Sequence, residues 1–201
     1  MRIVLIIRNP HCIALKMPQK PRKRNKNLGK AYTNVKNMCY NTVAIGESKC
    51  KDGDHMATVF DVANYILRKK GPMTTMKLQK LCYYAQSWSL AWDERPLFDE
   101  DFEAWANGPV CPELYRSHQG KFELPCDYFM PKDFDVYDFT SDQLETIDKV
   151  IEYYGDKEPQ WLSDLTHKEA PWLEARGDVP PGMRCNNVIP KESMQEYYGG
   201  L

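Results

Sequence analysis

No apolar run in this 201-residue chain approaches the roughly 20 residues needed to cross a bilayer. The opening Ile3-Val4-Leu5-Ile6-Ile7 stretch is cut short by Arg8. It also falls short of the roughly 7–15 apolar residues and small-residue cleavage site of a secretory signal. Seven cysteines are present, but none form a CxxC pair and no spacing repeats. A zinc ribbon or redox pair therefore has no support, and reduced thiols in a cytoplasmic protein are the plain reading. His118, His167, Cys82, Cys111, Cys126 and Cys185 show no metal-ligand spacing. The P-loop, HExxH and Rossmann fingerprints are missing too. No metal, cofactor or catalytic set is expected. A single nucleophile candidate stands against this. Cys111 precedes a helix whose N-terminus would lower its pKa, although a plain cap position explains the same residue.

The charge is unevenly distributed. Residues 1–55 carry twelve Lys/Arg against three Asp/Glu, a net +9, whereas residues 56–201 carry fifteen against twenty-five, a net −10. All five tryptophans lie in the second part. The sequence thus divides into a basic head, 1–55, and an acidic, aromatic-rich body, 56–201, long enough to bury one core without staples. The run from Lys16 to Lys30 has too little apolar surface to offset the entropy of ordering it. It reads as a disordered tail, as a nucleic-acid-binding tail acting through counterion release, or as an extension upstream of a second start at Met56. An acidic body repels nucleic acid and steers basic partners toward itself.

The body reads as mainly α with minor strand content: five to seven helices and a short strand or hairpin. Thr58 caps a first helix with Asp61 at N3, and Val59, Val62, Ala63 and Ile66 fall on one face. Gly71 and Pro72 stop it. Thr74 or Thr75 caps a second helix over 76–92, with Leu78, Leu81, Cys82, Ala85, Trp88 and Trp92 on one stripe. A short strand is expected near Phe102–Trp105. A rigid corner comes next at Asn107-Gly108-Pro109, then a short helix from Pro112 to about His118. Residues 120–140 read as an irregular connection. Thr140 and Gln143 form a capping box for a third long helix, stopped by Gly155. Trp161, Leu162 and Leu165 mark a fourth, broken at Pro171, with a last turn over Trp172–Arg176. Pro190 starts a final helix, and the Gly199-Gly200 tail is expected to fray.

Four blocks of the body, in register, resemble the Panacea-domain antitoxin family, also called SocA-like and often associated with phages. The first is Val62-Ala63-Asn64-Tyr65-Ile66-Leu67. The second is Thr75-Met76-Lys77-Leu78-Gln79-Lys80-Leu81-Cys82-Tyr83-Tyr84-Ala85-Gln86-Ser87-Trp88, close to the family's Leu-Lys-Leu-Gln-Lys-Leu-Leu-Tyr-Phe-Ala-Gln-Gly-Trp but departing conservatively at Met76 and Tyr84 and more clearly at Cys82 and Ser87. The third joins Arg95-Pro96-Leu97-Phe98 and Phe102-Glu103-Ala104-Trp105 to Gly108-Pro109-Val110 and Pro112–Tyr115. The fourth runs from Leu165-Thr166-His167 through Pro171-Trp172 to Ala175-Arg176. The head has no counterpart in this resemblance.

The resemblance implies an antitoxin that neutralises a neighbour-encoded toxin by direct protein contact. It also implies, for some relatives, an adaptor that delivers the toxin to an ATP-dependent protease. On this reading the partner-binding candidates are Lys77, Gln79, Lys80, Gln86, Trp105, Gly108, Pro109, Tyr115, His167 and Trp172. Core packing accounts fully for Leu78, Leu81, Tyr84 and Trp88. It accounts less well for Lys77 and Gln79, because burying them requires partners. The aromatic set around Gly108-Pro109 is either an interface, which favours such anchors, or an internal corner in which His167 makes a structural hydrogen bond. Two rival functions remain: a nucleic-acid-binding regulator that uses the head, and a Cys- or His-dependent enzyme.

Overall fold

The computed structural model describes residues 57–129 and 139–201. The head over 1–55 lies outside the described residues, as does part of the 120–140 connection. Within the described residues the chain is mainly α, with seven helices and two small antiparallel sheets.

Local signals set the helix ends. Helix α1, Val59–Lys70, begins with a complete capping box. The Thr58 hydroxyl accepts from the Asp61 N–H, and the Asp61 carboxylate accepts from the Thr58 N–H at 2.7 Å. It ends at Gly71, whose φ of +85° is open to glycine and costly for most other residues. After β1, Met73–Thr74, the Thr74 hydroxyl caps α2, Thr75–Asp93. A second capping box, Thr140 with Gln143, opens α4, Ser141–Tyr154. Gly155 closes that helix by donating to Ile151 O at 2.9 Å. All of these termini agree with the sequence pattern.

The interior of the fold departs from it. An amphipathic stripe was expected on α2, yet every residue from Leu78 to Leu90 is buried. Helices α1, α4, α5 (Pro159–Thr166) and α7 (Lys191–Gly199) and strand β3 (Gly108–Val110) all pack against α2. It is the central element, and its polar residues must find partners inside.

The expected strand is present as β2, Phe102–Trp105, but it is one arm of a hairpin. It pairs with β3 through Trp105↔Gly108, Ala104↔Pro109 and Glu103↔Val110. The corner is therefore a two-residue turn at Ala106-Asn107. Helix α3, Pro112–His118, comes after it, with Cys111 at its N-cap and Pro112 in the first turn. The 120–140 stretch is not wholly irregular, since β4, Glu123–Leu124, pairs with β1. Residues 172–176 are more than a single last turn. Pro171 sits in the first turn of a full helix, α6, Ala170–Arg176, where a missing N–H costs nothing. A further strand, β5 (Val188–Ile189), extends the sheet to β3-β2-β5. Helix α7 runs through Gly199, and Gly200 N–H bonds back to Glu196 O and Tyr197 O. No helix among the described residues is long and apolar enough to cross a membrane.

Candidate partner-binding site

The polar residues of α2 meet backbone groups that lie far away in sequence. Gln79 Oε1 accepts from Cys111 N–H at 2.9 Å, and its Nε2 donates to Cys111 O and lies 3.2 Å from His118 Nε2. Gln86 Oε1 accepts from Leu97 N–H at 2.7 Å, while its Nε2 donates to Phe98 O at 2.8 Å. Each amide side chain thus satisfies both a donor and an acceptor of an incoming loop. Lys80 is 1% exposed and donates to Pro109 O at 2.9 Å. With no carboxylate partner among the described residues, burial pulls its ammonium down to about 7. Lys77 remains half-buried near the start of the helix, and desolvation lowers its pKa more modestly.

Lys80 is one arm of a larger clamp on the β2–β3 hairpin. Arg176 Nη1 donates to Ala104 O at 2.9 Å, and Trp172 Nε1 donates to Trp105 O at 3.0 Å. Ser163 Oγ donates to Asn107 O at 2.9 Å. The His167 ring hydrogen-bonds the Ala106 backbone and lies against Trp172, with ring centroids 4.3 Å apart. Burial, and then the positive charge of Lys80, lowers the His167 pKa. Its Nε2 is buried with no hydrogen-bond partner among the described residues. Arg176 also binds Pro180 O and Met183 O and lies over the Trp172 ring.

Gly108 is the point where the clamp tolerates nothing larger. Its φ is +98°, and a Cβ there would stand 2.7 Å from both Lys80 Nζ and Thr166 Oγ1. Such contacts force a shift of the packed neighbours, on top of the left-handed strain.

The ten candidates therefore separate. Gln79, Lys80, Gln86, Gly108, Pro109 and Trp172 are buried. Lys80, Gly108, Pro109 and Trp172 hold or form the hairpin, Gln79 holds Cys111 just past it, and Gln86 holds the Leu97-Phe98 segment before it. Lys77, Trp105, Tyr115 and His167 are only partly buried. Trp105 and Tyr115 meet edge to face, with centroids 4.8 Å apart. Two residues that matter here were not among the candidates, Ser163 and Arg176. Arg176 stood in the fourth sequence block, but a terminal arginine on a short helix reads as solvated. Ser163 gives no signal in sequence.

A second buried polar group lies elsewhere in the core. Glu169, 4% exposed, accepts from Tyr198 OH at 2.7 Å and Tyr84 OH at 3.3 Å. Burial pushes its carboxyl up to about 8, and the two hydroxyls hold it from going further. Tyr84 stacks on Tyr154, and the neighbouring Tyr83 hydroxyl has no partner among the described residues. Burial likewise pushes the Cys111 thiol up to about 12, the reverse of an activated nucleophile. Among the described residues no three His, Cys, Asp or Glu side chains converge on a metal position.

Comparison with known proteins places the clamp in context. Residues 78–173 match the model of the family described as Antitoxin SocA-like, Panacea domain. Antitoxin SocA of Caulobacter vibrioides (strain NA1000 / CB15N) is 44% identical over 59 residues, which are 27% of this chain and 31% of that protein. The chain thus spans about a third of the length of this curated relative. No solved structure matches.

Proposed function

We propose that this chain, whose residues 78–173 match the SocA-like Panacea-domain family, is the antitoxin of a toxin–antitoxin pair. It neutralises its toxin by direct protein contact. The carrying observation is the family match itself, which runs from Leu78 to Leu173 and covers every clamp residue except Arg176. The geometry supports the same reading in a second way. The matched polar residues are used up in fixing the hairpin and the segments that lead into and out of it, and Trp105 and Tyr115 pack on each other with part of their rings in solvent. Rigid aromatic anchors of this kind dominate binding energy at protein interfaces. The candidate residues accordingly take two roles: the buried six position the hairpin and the segments on either side of it, and Trp105, Tyr115, Lys77 and His167 lie where a partner reaches them.

Co-expression tests this. The product of the open reading frame beside the gene is induced alone, with the full chain, and with residues 56–201. Growth arrest relieved by co-expression is the expected result, and arrest that neither version relieves sinks the reading. Delivery to an ATP-dependent protease predicts in addition that the toxin's half-life shortens when the antitoxin is present. An unchanged half-life with full relief leaves masking as the mechanism.

The charge segregation favours one second reading, a nucleic-acid-binding regulator that uses the +9 head. It predicts salt-dependent DNA binding by the full chain that vanishes when the chain starts at Met56.

A further inference from the structure

On the outward side of the β3-β2-β5 sheet the β3 end is covered, with Val110 buried and Trp105 against Tyr115 of α3, while the β5 end is open at Val188. Along β2, Phe102 and Ala104 are buried, while Glu103 and Trp105 point outward. Glu103 lies between Val110 on β3 and Val188 on β5, and Val188 is 49% exposed. In front of this row an open groove of about 470 Å³ has Pro112 and Val188 as its apolar lining. Carboxylates supply the rest of it. Two of them are neutralised within the molecule, Asp101 by Lys191 and Glu113 by Arg116. Asp99, Glu100 and Glu103 form no ion pair among the described residues. Glu100 accepts from Val59 N–H at 3.2 Å. Glu103 accepts from Trp105 Nε1 and Asn186 Nδ2, each at 2.7 Å. These neutral donors fix Glu100 and Glu103 in place without cancelling their charge, while Lys191, which pairs with Asp101, also donates to the backbone carbonyl of Asp99.

We infer that this sheet face is the docking surface for a cationic segment of the partner protein, an extended stretch in which Arg or Lys side chains flank an apolar residue. The apolar residue covers Val188 and Pro112. The cations meet Glu103 and Asp99, and an arginine gains most, because its planar fork pairs with a carboxylate through two bonds while its face lies on Trp105. The charge makes a phosphate backbone a poor occupant. That the segment belongs to a toxin rests on the antitoxin reading; the location and its chemistry do not.

The test begins with the full chain, isotopically labelled and titrated with a synthetic peptide alternating arginine and leucine. The Trp105 indole and Val188 methyl resonances are expected to shift, and binding is expected to weaken with added salt. The pair Glu103→Lys with Asp99→Lys weakens binding by about tenfold or more, whereas Glu145→Lys with Glu152→Lys, the same charge change on α4, leaves it within about twofold. Val188→Ser, at an exposed site, weakens it without altering net charge. Circular dichroism confirms that each variant is folded. Equal weakening by both charge pairs, or shifts confined to another face, overturns the proposal. So does a full chain that binds nothing until Arg22, Lys23, Arg24 and Lys26 are changed to Ser, since the chain's own basic run would then be the occupant. Co-expression separates the two ideas. Relief lost only in the Glu103→Lys pair supports the surface. Equal relief by the wild type and both pairs overturns it as the toxin contact while the antitoxin reading stands. Failure of relief by the wild type sinks the antitoxin reading and leaves the peptide titration to decide the surface.

Discussion

Two regions of the core handle buried polarity in opposite ways. At the hairpin, charged or polar side chains from α2, α5 and α6 each reach a backbone carbonyl of residues 104–109. At Glu169 a single carboxylate is shared by two tyrosine hydroxyls, and a third, on Tyr83, is left over. The hairpin clamp is built on backbone acceptors that cannot titrate, and its titratable points are the ammonium of Lys80 and the ring of His167. The Glu169 cluster is built on a group that can lose its charge. Fixed geometry suits a region that presents contact residues; the cluster joins α2, α6 and α7 through side chains alone.

The sharpest way to break the clamp is Gly108→Val. Its branched Cβ meets Lys80 and Thr166 and needs a positive φ. A loss of about 3 kcal/mol or more in unfolding free energy is expected from strain and overpacking together, and urea denaturation reads it. A stability within about 1 kcal/mol of the wild type would mean that the hairpin moves freely over α2.

The pH dependence separates the two regions next. Burial raises Glu169 from 4.5 to about 8. The folded protein therefore holds a proton that the unfolded chain has already released, and stability falls as pH rises between these values. Lys80 is lowered from 10.5 to about 7. Over that window the unfolded chain holds the extra proton, and stability rises with pH. Each slope approaches ~1.4 kcal/mol per pH unit at most. The two contributions together place a stability minimum near pH 7–8. Glu169→Gln should remove the falling limb and Lys80→Met the rising limb, as read from thermal or urea midpoints across pH. Retention of both limbs in both variants would assign the titration to other groups.

Two smaller changes bound the comparison. Tyr198→Phe removes the 2.7 Å hydrogen bond to Glu169 and should cost about 1–3 kcal/mol, because the acceptor stays buried. A cost near zero would show that the carboxyl finds another donor. Phe122→Ser alters a side chain that is 78% exposed and touches neither region, so its effect should stay within about 0.5 kcal/mol. A larger loss would give this edge of the β1–β4 sheet a packing role it lacks here.

The helix ends of α1 and α4 were legible because every determinant lies within four residues: Thr58 with Asp61, Thr140 with Gln143, and the glycines at 71 and 155. The start of α3 at Pro112 was legible for the same reason. Strands β1, β4 and β5, two residues each, were not, because nothing marks a dipeptide as a strand until its partner arrives. The site was half legible. Gln79, Lys80, Gln86, Gly108, Pro109 and Trp172 stood out as partner-binding candidates, but their sorting into clamp and contact surface was not visible. Arg176 and Ser163 were missed, because their acceptors are 72 and 56 positions away.

The amino-acid sequence by itself determined where the long helices begin and end, that the chain must turn next to Gly108-Pro109, and that the charge divides into a basic head and an acidic body. Capping, glycine conformation and net charge are local or additive properties, readable without a fold. Only the tertiary structure decided that α2 is buried on every side, that Lys80 is spent on Pro109 O, and that Trp105 is left facing solvent beside Glu103. Burial and hydrogen-bond satisfaction depend on groups brought together from separate elements, and the packing around α2 alone chooses those groups.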